Sequence, residues 1–324
     1  MSGSQAPVSE QPRANSQSRP VRPAPWPSVS AIVATRDRPE KLAKAVQSMV
    51  GQDYPGELEC VIVFDQSRPA PVAVDLPAGR QVRLLTNART PGAAGARNTG
   101  AEASDGDVVA FCDDDDTWHA DKIRLQVERL ESASAGFVAC GTRFHYGDRV
   151  VDRAAPASVN LQQLLRHRFP ELGLPTFALR REALADIGLL DEKIPGSYGE
   201  DYDLLLRAAH REPIVAVEQP LIDVLWHQES FFAQRWQTIS EALEYLLAKH
   251  PELAADARGR ARIEGQTAFA EAALRHRPAA CMASLRALRG NPLERRAYLA
   301  LAVAAGIVPA ATIVRLANQR GRGI

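Results

Sequence analysis

The sequence lacks the cysteine pattern and the leader of a secreted protein. Its 324 residues contain no CxxC pair, and three of the four cysteines lie in apolar, strand-like runs. Such positions are typical of buried thiols in a reducing compartment. The first 27 residues are rich in Ser, Gln, Pro and Arg and contain no apolar segment like that of a signal peptide. We therefore expect residues 1–27 to form a disordered leader and the protein to be cytoplasmic. The cysteines are Cys60, Cys112, Cys140 and Cys281.

Long hydrophobic runs are also scarce. Only residues 297–314 approach the length of a membrane span, and Gly306 and Pro309 interrupt them, so a packed pair of helices is expected there. An excess of charge is missing too, because 39 basic residues balance 39 acidic ones. The balance is uneven along the chain: residues 256–324 contain twelve arginines, no lysine and four acids. No nucleic-acid partner is expected. The arginine-rich helices suit peripheral contact with the inner membrane face or with a protein, and helix solubility is an equally simple explanation.

A dinucleotide-binding fingerprint is absent as well. Gly92, Gly95 and Gly100 do not have the GxGxxG spacing that cradles a pyrophosphate at a helix start. No repeat of fixed period occurs either, which excludes a solenoid.

The most distinctive segment present is an apolar run that ends in four carboxylates. Val108–Cys112 is typical of a fully buried strand, and Asp113–Asp116 follow it directly. Four consecutive like charges repel one another. A solvated acidic turn is one interpretation, and a hard divalent cation held by carboxylate oxygens is the other.

Strands and helices alternate from residue 29 onward, which predicts an α/β fold with a doubly wound, mostly parallel sheet. Polar residues recur where the predicted strands end, and the carboxyl ends of parallel strands lie along one edge of a sheet. We expect these side chains to converge on one ligand, which favours the cation over the solvated turn. They are Thr35, Asp65, Asn87 and Asp113.

Further along the chain, helices are predicted over 119–130, 161–166 and 181–187, and strands over 136–144, 174–179, 214–217 and 221–225. Glu200 and Asp201 open an amphipathic helix, where acidic residues are favoured by the helix dipole. From residue 231 the pattern is helical. We therefore predict a domain over 28–230 and a helical extension over 231–324.

Five segments in this order resemble the family 2 glycosyltransferases, which have the GT-A fold. They are AIVATRDRPEKL, VIVFDQS, GAAGARNTGAEASDGDVVAFCDDDDTWHADK, FALRREALADIGLLDE and GEDYDLLLR, and the resemblance extends from about Val29 to Ser230. It implies a nucleotide-sugar donor, usually UDP-linked, and a Mn²⁺ or Mg²⁺ ion at a DxD motif. It also implies transfer to an acceptor hydroxyl with inversion at the anomeric carbon, in the synthesis of a cell-surface glycan or glycoconjugate.

The resemblance also implies roles for individual residues. Asp115 is the expected metal ligand, joined by Asp113, which otherwise faces the ribose as Asp114 does. Asp201 is the expected catalytic base, with Glu200 raising its pKa. The donor is expected to contact Thr35, Arg36, Asp37, Asp65, Arg97 and Asn98, and His227 is expected near the metal or the diphosphate.

The sequence departs from the processive members of the family, because Gln234, Arg235 and Trp236 lack the spacer of their QxxRW motif. A non-processive enzyme acting on a glycan, a lipid-linked or a small-molecule acceptor is therefore expected. Two alternatives stay open at this point. A nucleotidyltransferase would normally carry glycine in the loop after the first strand, and Thr35–Pro39 has none. A non-catalytic module that binds sugar or membrane would not need both Asp201 and the DxD pair.

Overall fold

The computed structural model describes residues 26–225 and 235–319. The predicted leader, apart from Trp26 and Pro27, and His227 lie outside these residues. Within them the chain forms one ten-stranded mixed sheet and twelve α-helices. The strands are β1 (Val29–Thr35), β2 (Leu58–Phe64), β3 (Arg80–Thr86), β4 (Val108–Asp113), β5 (Thr117–Trp118), β6 (Phe137–Tyr146), β7 (Arg149–Arg153), β8 (Ser158–Val159), β9 (Ala178–Arg180) and β10 (Ile214–Leu225).

Six helices lie between the strands of the sheet along the chain, and a seventh is the first helix after β10. They are α1 (Pro39–Val50), α2 (Ala93–Ala103), α3 (Lys122–Ala133), α4 (Leu161–Arg166), α5 (Arg181–Ile187), α6 (Glu200–Ala209) and α7 (Trp236–Lys249). The others are α8 (Pro251–Ala255), α9 (Ala257–Ala273), α10 (Arg277–Gly290), α11 (Arg295–Ala304) and α12 (Ala310–Gln319). The pair α11 and α12 confirms the expected helices in residues 297–314. None of the helices in the described residues is long and apolar enough to cross a membrane.

The strand order β3-β2-β1-β4-β9-β6-β10-β5 confirms the expected doubly wound sheet. Strands β3, β2, β1 and β4 run parallel, and β6 and β10 run parallel to each other. Strand β9 pairs antiparallel with both β4 and β6, so it separates the two parallel sets. The antiparallel strands β5, β7 and β8 complete the sheet on the β6–β10 side.

Three sequence-based boundaries were wrong. The strand predicted over 174–179 is a 3-10 turn, Leu174–Thr176, followed by β9, because Pro175 has no N–H to give to a ladder. The strands predicted over 214–217 and 221–225 are one strand, β10, whose pairing with β6 shifts register around Pro220. The helix predicted to start at His119 starts at Lys122, because Gln52 holds the preceding turn through the His119 carbonyl and the Ile123 N–H.

The alternation of side chains along the central strands separates two apolar layers. Ala31, Val33 and Cys112 face α1 and α3, while Ile32 and Phe111 face the opposite layer. That opposite layer contains residues of α2 and α6 and also residues of the helices after residue 235. The C-terminal residues in it are Ile239, Ala242, Leu243, Leu246, Leu253, Ile263 and Ala270. The predicted extension thus shares a core with the sheet, and the boundary at 230/231 stays a prediction. Cys60, Cys112 and Cys140 are buried, as expected.

Candidate active site

The polar strand ends meet at one edge of the sheet. Strand β1 lies between β2 and β4, with Thr35 opposite Phe64 and Ala34 opposite Asp113. Thr35, Asp65 and Asp113 therefore leave three adjacent parallel strands at the same level. This arrangement follows from the sequence, because each strand is an apolar run that ends in a polar residue.

The acidic run is held by the loop and helix that follow β1. Thr35 Oγ1 donates to Asp114 Oδ2 at 2.8 Å. Arg38 Nη1 donates to Asp114 Oδ1 and to Asp115 Oδ2, both at 3.1 Å, and Lys41 Nζ lies 3.5 Å from Asp115 Oδ2. Sequence analysis missed Arg38 and Lys41. The signal was the pair of basic residues on either side of Pro39 and Glu40, at the start of α1, in a chain that also carries four consecutive carboxylates.

Burial differs strongly among the four aspartates. Asp116 is 4% exposed, and burial raises the pKa of its carboxyl well above the ordinary value, with its acidic neighbours adding to the effect. Burial also raises the pKa of Asp114. The side chains of Asp113 and Asp115 are 35% and 25% exposed, so these two face the open edge of the site. The Asp116 N–H donates to the Asp113 carbonyl at 3.3 Å, which closes the expected turn toward Trp118.

The acidic run meets the chemical requirement for a divalent cation, but it does not form a complete coordination sphere. Asp113 and Asp115 offer accessible carboxylate oxygens, the ligands that Mg²⁺ and Mn²⁺ prefer. No group of three or more His, Cys, Asp or Glu side chains that could hold a metal ion occurs in residues 26–225 and 235–319. One or two carboxylates completed by phosphate oxygens is a common arrangement where a metal accompanies a nucleotide. The residues present fit an ion of that kind.

Arg97 joins the acidic run to the first turn of α6. This buried arginine of α2 donates Nη2 to Asp113 Oδ1 and Nη1 to Glu200 Oε1. Burial raises the pKa of Glu200 to about 7, against the lowering effect of Arg97, and the adjacent charges of Asp113 and Asp201 add to the rise. Glu200 Oε2 and Arg97 Nε are buried and make no hydrogen bond. The pair is therefore a polar link inside the protein and is not open to solvent.

Asp201 is the more accessible of the two acids at the start of α6. Its side chain is 19% exposed, and Arg168 Nη2 lies 3.2 Å from its Oδ2. Its Oδ1 accepts from the Tyr202 N–H at 2.7 Å. The residue before this pair, Gly199, has a φ of 84°, a left-handed conformation that glycine adopts without strain. That turn directs Glu200 inward toward Arg97 and leaves Asp201 at the surface of the site.

Asp65 accepts hydrogen bonds from two neighbouring segments, which its position in the sequence did not reveal. Its carboxylate accepts from Asn87 Nδ2 at 2.8 Å and from the Gly92 N–H at 3.1 Å. It therefore ties the ends of β2 and β3 to the start of α2. An open cavity of about 370 Å³ lies beside it, lined by Asp65, Ser67, Asn87 and Arg89 among others.

Three of the predicted donor-binding residues do not join this cluster. Arg36 and Asp37 are 57% and 74% exposed and lie 3.9 Å from each other. Asn98 is buried and donates Nδ2 to the Leu190 carbonyl at 2.9 Å and to Glu192 Oε1 at 2.7 Å, so it holds the loop before α6. Their contacts with a donor stay predictions.

Comparison with known proteins gives a consistent result. The family model described as "Glycosyl transferase family 2" matches residues 30–188, about half of the chain. The chain is 27% identical over 190 residues to the UDP-Glc:alpha-D-GlcNAc-diphosphoundecaprenol beta-1,3-glucosyltransferase WfgD of Escherichia coli, covering 58% of this chain and 72% of that protein. It is 26% identical over 243 residues to the amylovoran biosynthesis glycosyltransferase AmsB of Erwinia amylovora, covering 70% and 79%.

The fold has solved counterparts as well. The structure of the mannosyltransferase PcManGT from Pyrobaculum calidifontis, in complex with GDP-Man and Mn²⁺, matches with a TM-score of 0.51 and 19% identity, covering 90% of this chain and 86% of that one. At this identity the match shows a shared fold. Together with the family model and the named relatives, it shows that this chain belongs to glycosyl transferase family 2 and is a glycosyltransferase with the GT-A fold.

Proposed function

We propose that the protein is an inverting, metal-dependent and non-processive glycosyltransferase that takes its sugar from a nucleotide-sugar donor, a UDP-sugar, and gives it to an acceptor hydroxyl. One observation carries the proposal: Arg97 and Glu200 link the partly exposed carboxylates at the end of β4, Asp113 and Asp115, to the accessible Asp201 at the start of α6. A site with acids on both sides of a reacting carbon can assist the leaving group on one side and the nucleophile on the other.

The donor end is formed by the carboxyl ends of β1 to β4. The cavity beside Asp65 and Asn87 has room for a nucleoside, and both side chains offer hydrogen-bonding groups to it. The Thr35 hydroxyl donates to the Asp114 carboxylate and so helps to fix the position of the aspartate run at the end of β4. Anchoring the nucleoside here would present the anomeric carbon toward Asp201. The donor would then be held in the orientation that the reaction needs, which lowers the entropic part of the barrier.

Asp115, together with Asp113, is the residue that would hold Mn²⁺ or Mg²⁺. When bound, such an ion supplies Lewis-acid stabilisation of the charge that accumulates on the departing diphosphate. Support comes from the exposure of these two carboxylates and from the Mn²⁺ in the complex of PcManGT, which has the same fold. Arg38 and Lys41 place positive charge 3.1 and 3.5 Å from one of these oxygens, Asp115 Oδ2.

Asp201 is the proposed base. As the acceptor oxygen forms a bond to the anomeric carbon, the bond from that carbon to the diphosphate oxygen breaks, and the hydroxyl proton passes to the Asp201 carboxylate. One displacement on the face opposite to the leaving group inverts the configuration. Glu200 does not reach the acceptor in this scheme, because it is buried against Arg97, and it acts by fixing the start of α6.

The acceptor and the pathway class follow from the relatives. The Escherichia coli relative is named as acting on a sugar diphosphate linked to a lipid, and the Erwinia amylovora relative as acting in amylovoran biosynthesis. We infer a role in cell-surface polysaccharide synthesis with a glycan or lipid-linked acceptor. Peripheral membrane contact through α10 to α12 is part of this proposal, supported by the exposure of Leu293 (82%) and Ile307 (79%) among surface arginines.

The test is a panel of nucleotide sugars with Mn²⁺, measured by slow donor hydrolysis and then by transfer. Asp115→Ala should reduce turnover roughly a thousandfold, because the ion that steadies the leaving group loses its main ligand. Asp201→Asn should reduce transfer roughly 10² to 10⁴-fold, because the base is lost.

Asp121→Ala is the matched control for these variants. Asp121 is a partly exposed acid directly before α3, and its carboxylate lies 3.9 Å from the Arg124 guanidinium. The substitution should leave turnover unchanged, and all three variants should keep the melting temperature. Full activity of Asp115→Ala or of Asp201→Asn would refute the role given to that residue. Release of pyrophosphate from a nucleoside triphosphate and a sugar phosphate would replace the proposal with nucleotidyl transfer.

A further inference from the structure

A second group of charged side chains lies behind Asp201. Arg168, in the loop after α4, pairs with Asp201, and its guanidinium carbon lies 5.8 Å from the centre of the Tyr202 ring. Arg262 of α9 lies over the same ring at 5.1 Å and donates Nη2 to the Tyr202 hydroxyl at 2.7 Å. Two guanidinium groups from distant parts of the chain therefore meet at one aromatic ring beside the proposed base.

The charge of Arg262 is not balanced by an acid. The residue is 6% exposed, its Nε and Nη1 make no hydrogen bond, and no salt bridge to it occurs in the described part of the chain. Burial lowers the pKa of its guanidinium, Tyr202 opposes this, and Arg168 and Arg296 lower the pKa further. A buried cation without a counter-charge costs several kcal/mol, so an arginine kept in this position favours an anion nearby.

Two other arginines of α9 and α10 do have an acid partner: Arg260 and Arg286 both contact Glu264 Oε1, at 3.0 and 3.1 Å. Arg296 of α11 reaches Glu294 only at 3.4 Å, and its Nε is buried without a partner. Positive charge is therefore in excess around Tyr202. Arg168, whose side chain is 35% exposed, is the member of this group that solvent and ligands can reach.

We propose that Arg168, with Arg262 and Arg296 behind it, binds a phosphate or diphosphate group of the acceptor and so places the acceptor hydroxyl at Asp201. The proposal rests on the function proposed above and adds the chemical class of the acceptor. The planar guanidinium of arginine matches phosphate oxygens in pairs, and two further cations behind it strengthen the attraction in a region of low dielectric. A phosphate that takes Arg168 also draws it from Asp201, which leaves that carboxylate ready to accept the proton.

Inorganic pyrophosphate is the probe for this site, titrated calorimetrically into the full chain with Mg²⁺ and saturating UDP, so that the donor end is already filled. Arg168→Ala should weaken pyrophosphate binding at least tenfold, and Arg168→Lys, which keeps the charge but not the paired hydrogen bonds, should weaken it less than Arg168→Ala does. Arg262→Met should also weaken binding, provided that its melting temperature shows a folded protein. UDP affinity should stay the same in every variant, which a merely structural defect would not allow.

Arg124→Ala is the matched control. Arg124 is 31% exposed and lies 3.2 Å from Glu128, much as Arg168 is 35% exposed and lies 3.2 Å from Asp201. Its removal should leave pyrophosphate binding unchanged. If Arg168→Ala binds pyrophosphate as tightly as Arg124→Ala does, the proposal is overturned.

Two further measurements separate the sources of phosphate and the two proposals. Flotation with phosphatidylcholine vesicles, with and without phosphatidylglycerol, tests a lipid headgroup. A loss of vesicle binding in Arg168→Ala with unchanged pyrophosphate binding would assign the site to membrane lipid and overturn the acceptor role. If donor hydrolysis does not depend on Asp115 while pyrophosphate binding does depend on Arg168, the result counts against the proposed function. It leaves the phosphate site at Arg168 standing.

Discussion

Arg97 fixes the position of the acidic run relative to the helix that bears the proposed base. One guanidinium group contacts Asp113 at the end of β4 and Glu200 at the start of α6. These carboxylates come from elements that do not pair directly in the sheet, so a single side chain determines their separation. A residue of this kind affects binding and catalysis without touching the substrate.

Substituting Arg97 should test this role. In Arg97→Lys the ammonium group cannot serve two carboxylates in fixed directions, so we expect transfer to fall at least tenfold. The free energy of unfolding should fall by about 1–3 kcal/mol, since two partly or fully buried acids lose hydrogen bonds. Kinetics and urea denaturation measure the two effects.

Arg83→Lys is the control, because Arg83 makes a partly exposed pair with Glu59 at 3.2 Å, and surface pairs of this kind contribute about 0–1 kcal/mol. It should change neither quantity appreciably. An Arg97→Lys variant with normal transfer would show that the link between β4 and α6 has no part in the reaction.

At the scale of elements, the closeness of α2 to the sheet determines where Arg97 lies. Gly100 faces β1 and β2, and a Cβ there would stand 2.6 Å from Ile32 Cγ2 and 3.1 Å from Val63 Cγ2. The helix can approach the strands this closely only because the residue has no side chain. The N-terminal end of α2 is held in turn by Asp65, which accepts from the Gly92 N–H.

Gly100→Ala should therefore destabilise the protein. The overpacking costs about 1–3 kcal/mol, which exceeds the gain of up to about 1 kcal/mol that alanine brings to a helix interior. A shift of α2 would also displace Arg97 and lower activity. Gly173→Ala is the comparison, since a Cβ there would meet only Pro175 Cδ, at 3.8 Å. Equal melting temperatures for the two variants would mean that α2 can move outward without cost.

At the scale of the whole molecule, a buried charge network joins α6 to the C-terminal helices. Asp203 has no exposed side-chain surface and contacts Arg207 at 2.9 Å, Lys249 at 2.7 Å and His250 at 2.8 Å. Despite burial, these partners lower the pKa of Asp203 to about 2. The helix that carries Asp201 is thus fixed by residues from beyond position 235, in addition to the shared apolar core.

The network makes part of the stability dependent on pH. The folded carboxyl of Asp203 keeps its charge down to a pKa of about 2, whereas the unfolded one titrates near 3.8. Its contribution of about 2 kcal/mol is therefore fully present above the unfolded value and is lost as the pH falls from about 4 to 2.

Asp203→Asn should lower the free energy of unfolding by about 3–5 kcal/mol at pH 7, because Arg207, Lys249 and His250 lose their buried anionic partner. The difference from the unsubstituted protein should shrink on acidification, which urea denaturation at pH 7 and pH 3 would measure. Asp186→Asn is the control, since Asp186 is 71% exposed and lies 3.7 Å from Arg211. A pH-independent difference would show that the charge of Asp203 is not what stabilises this junction.

The sequence by itself determined the four parallel strands β1 to β4, the acidic strand end and the start of the helix that carries Asp201, because buried strands are continuous apolar runs and helix starts have local signals. Helix α4 was predicted with its observed bounds, since Asn160 and Gln163 form a capping box within four residues. Only the tertiary structure decided which charges meet. Arg97 pairs with Glu200 and Asp113, Arg38 pairs with Asp114, and Arg262 pairs with Tyr202. These contacts join residues that are 16 to 103 positions apart in the chain. Such pairings depend on how helices cross the sheet and on which side chains lose water there, and neither is encoded within a local stretch of sequence.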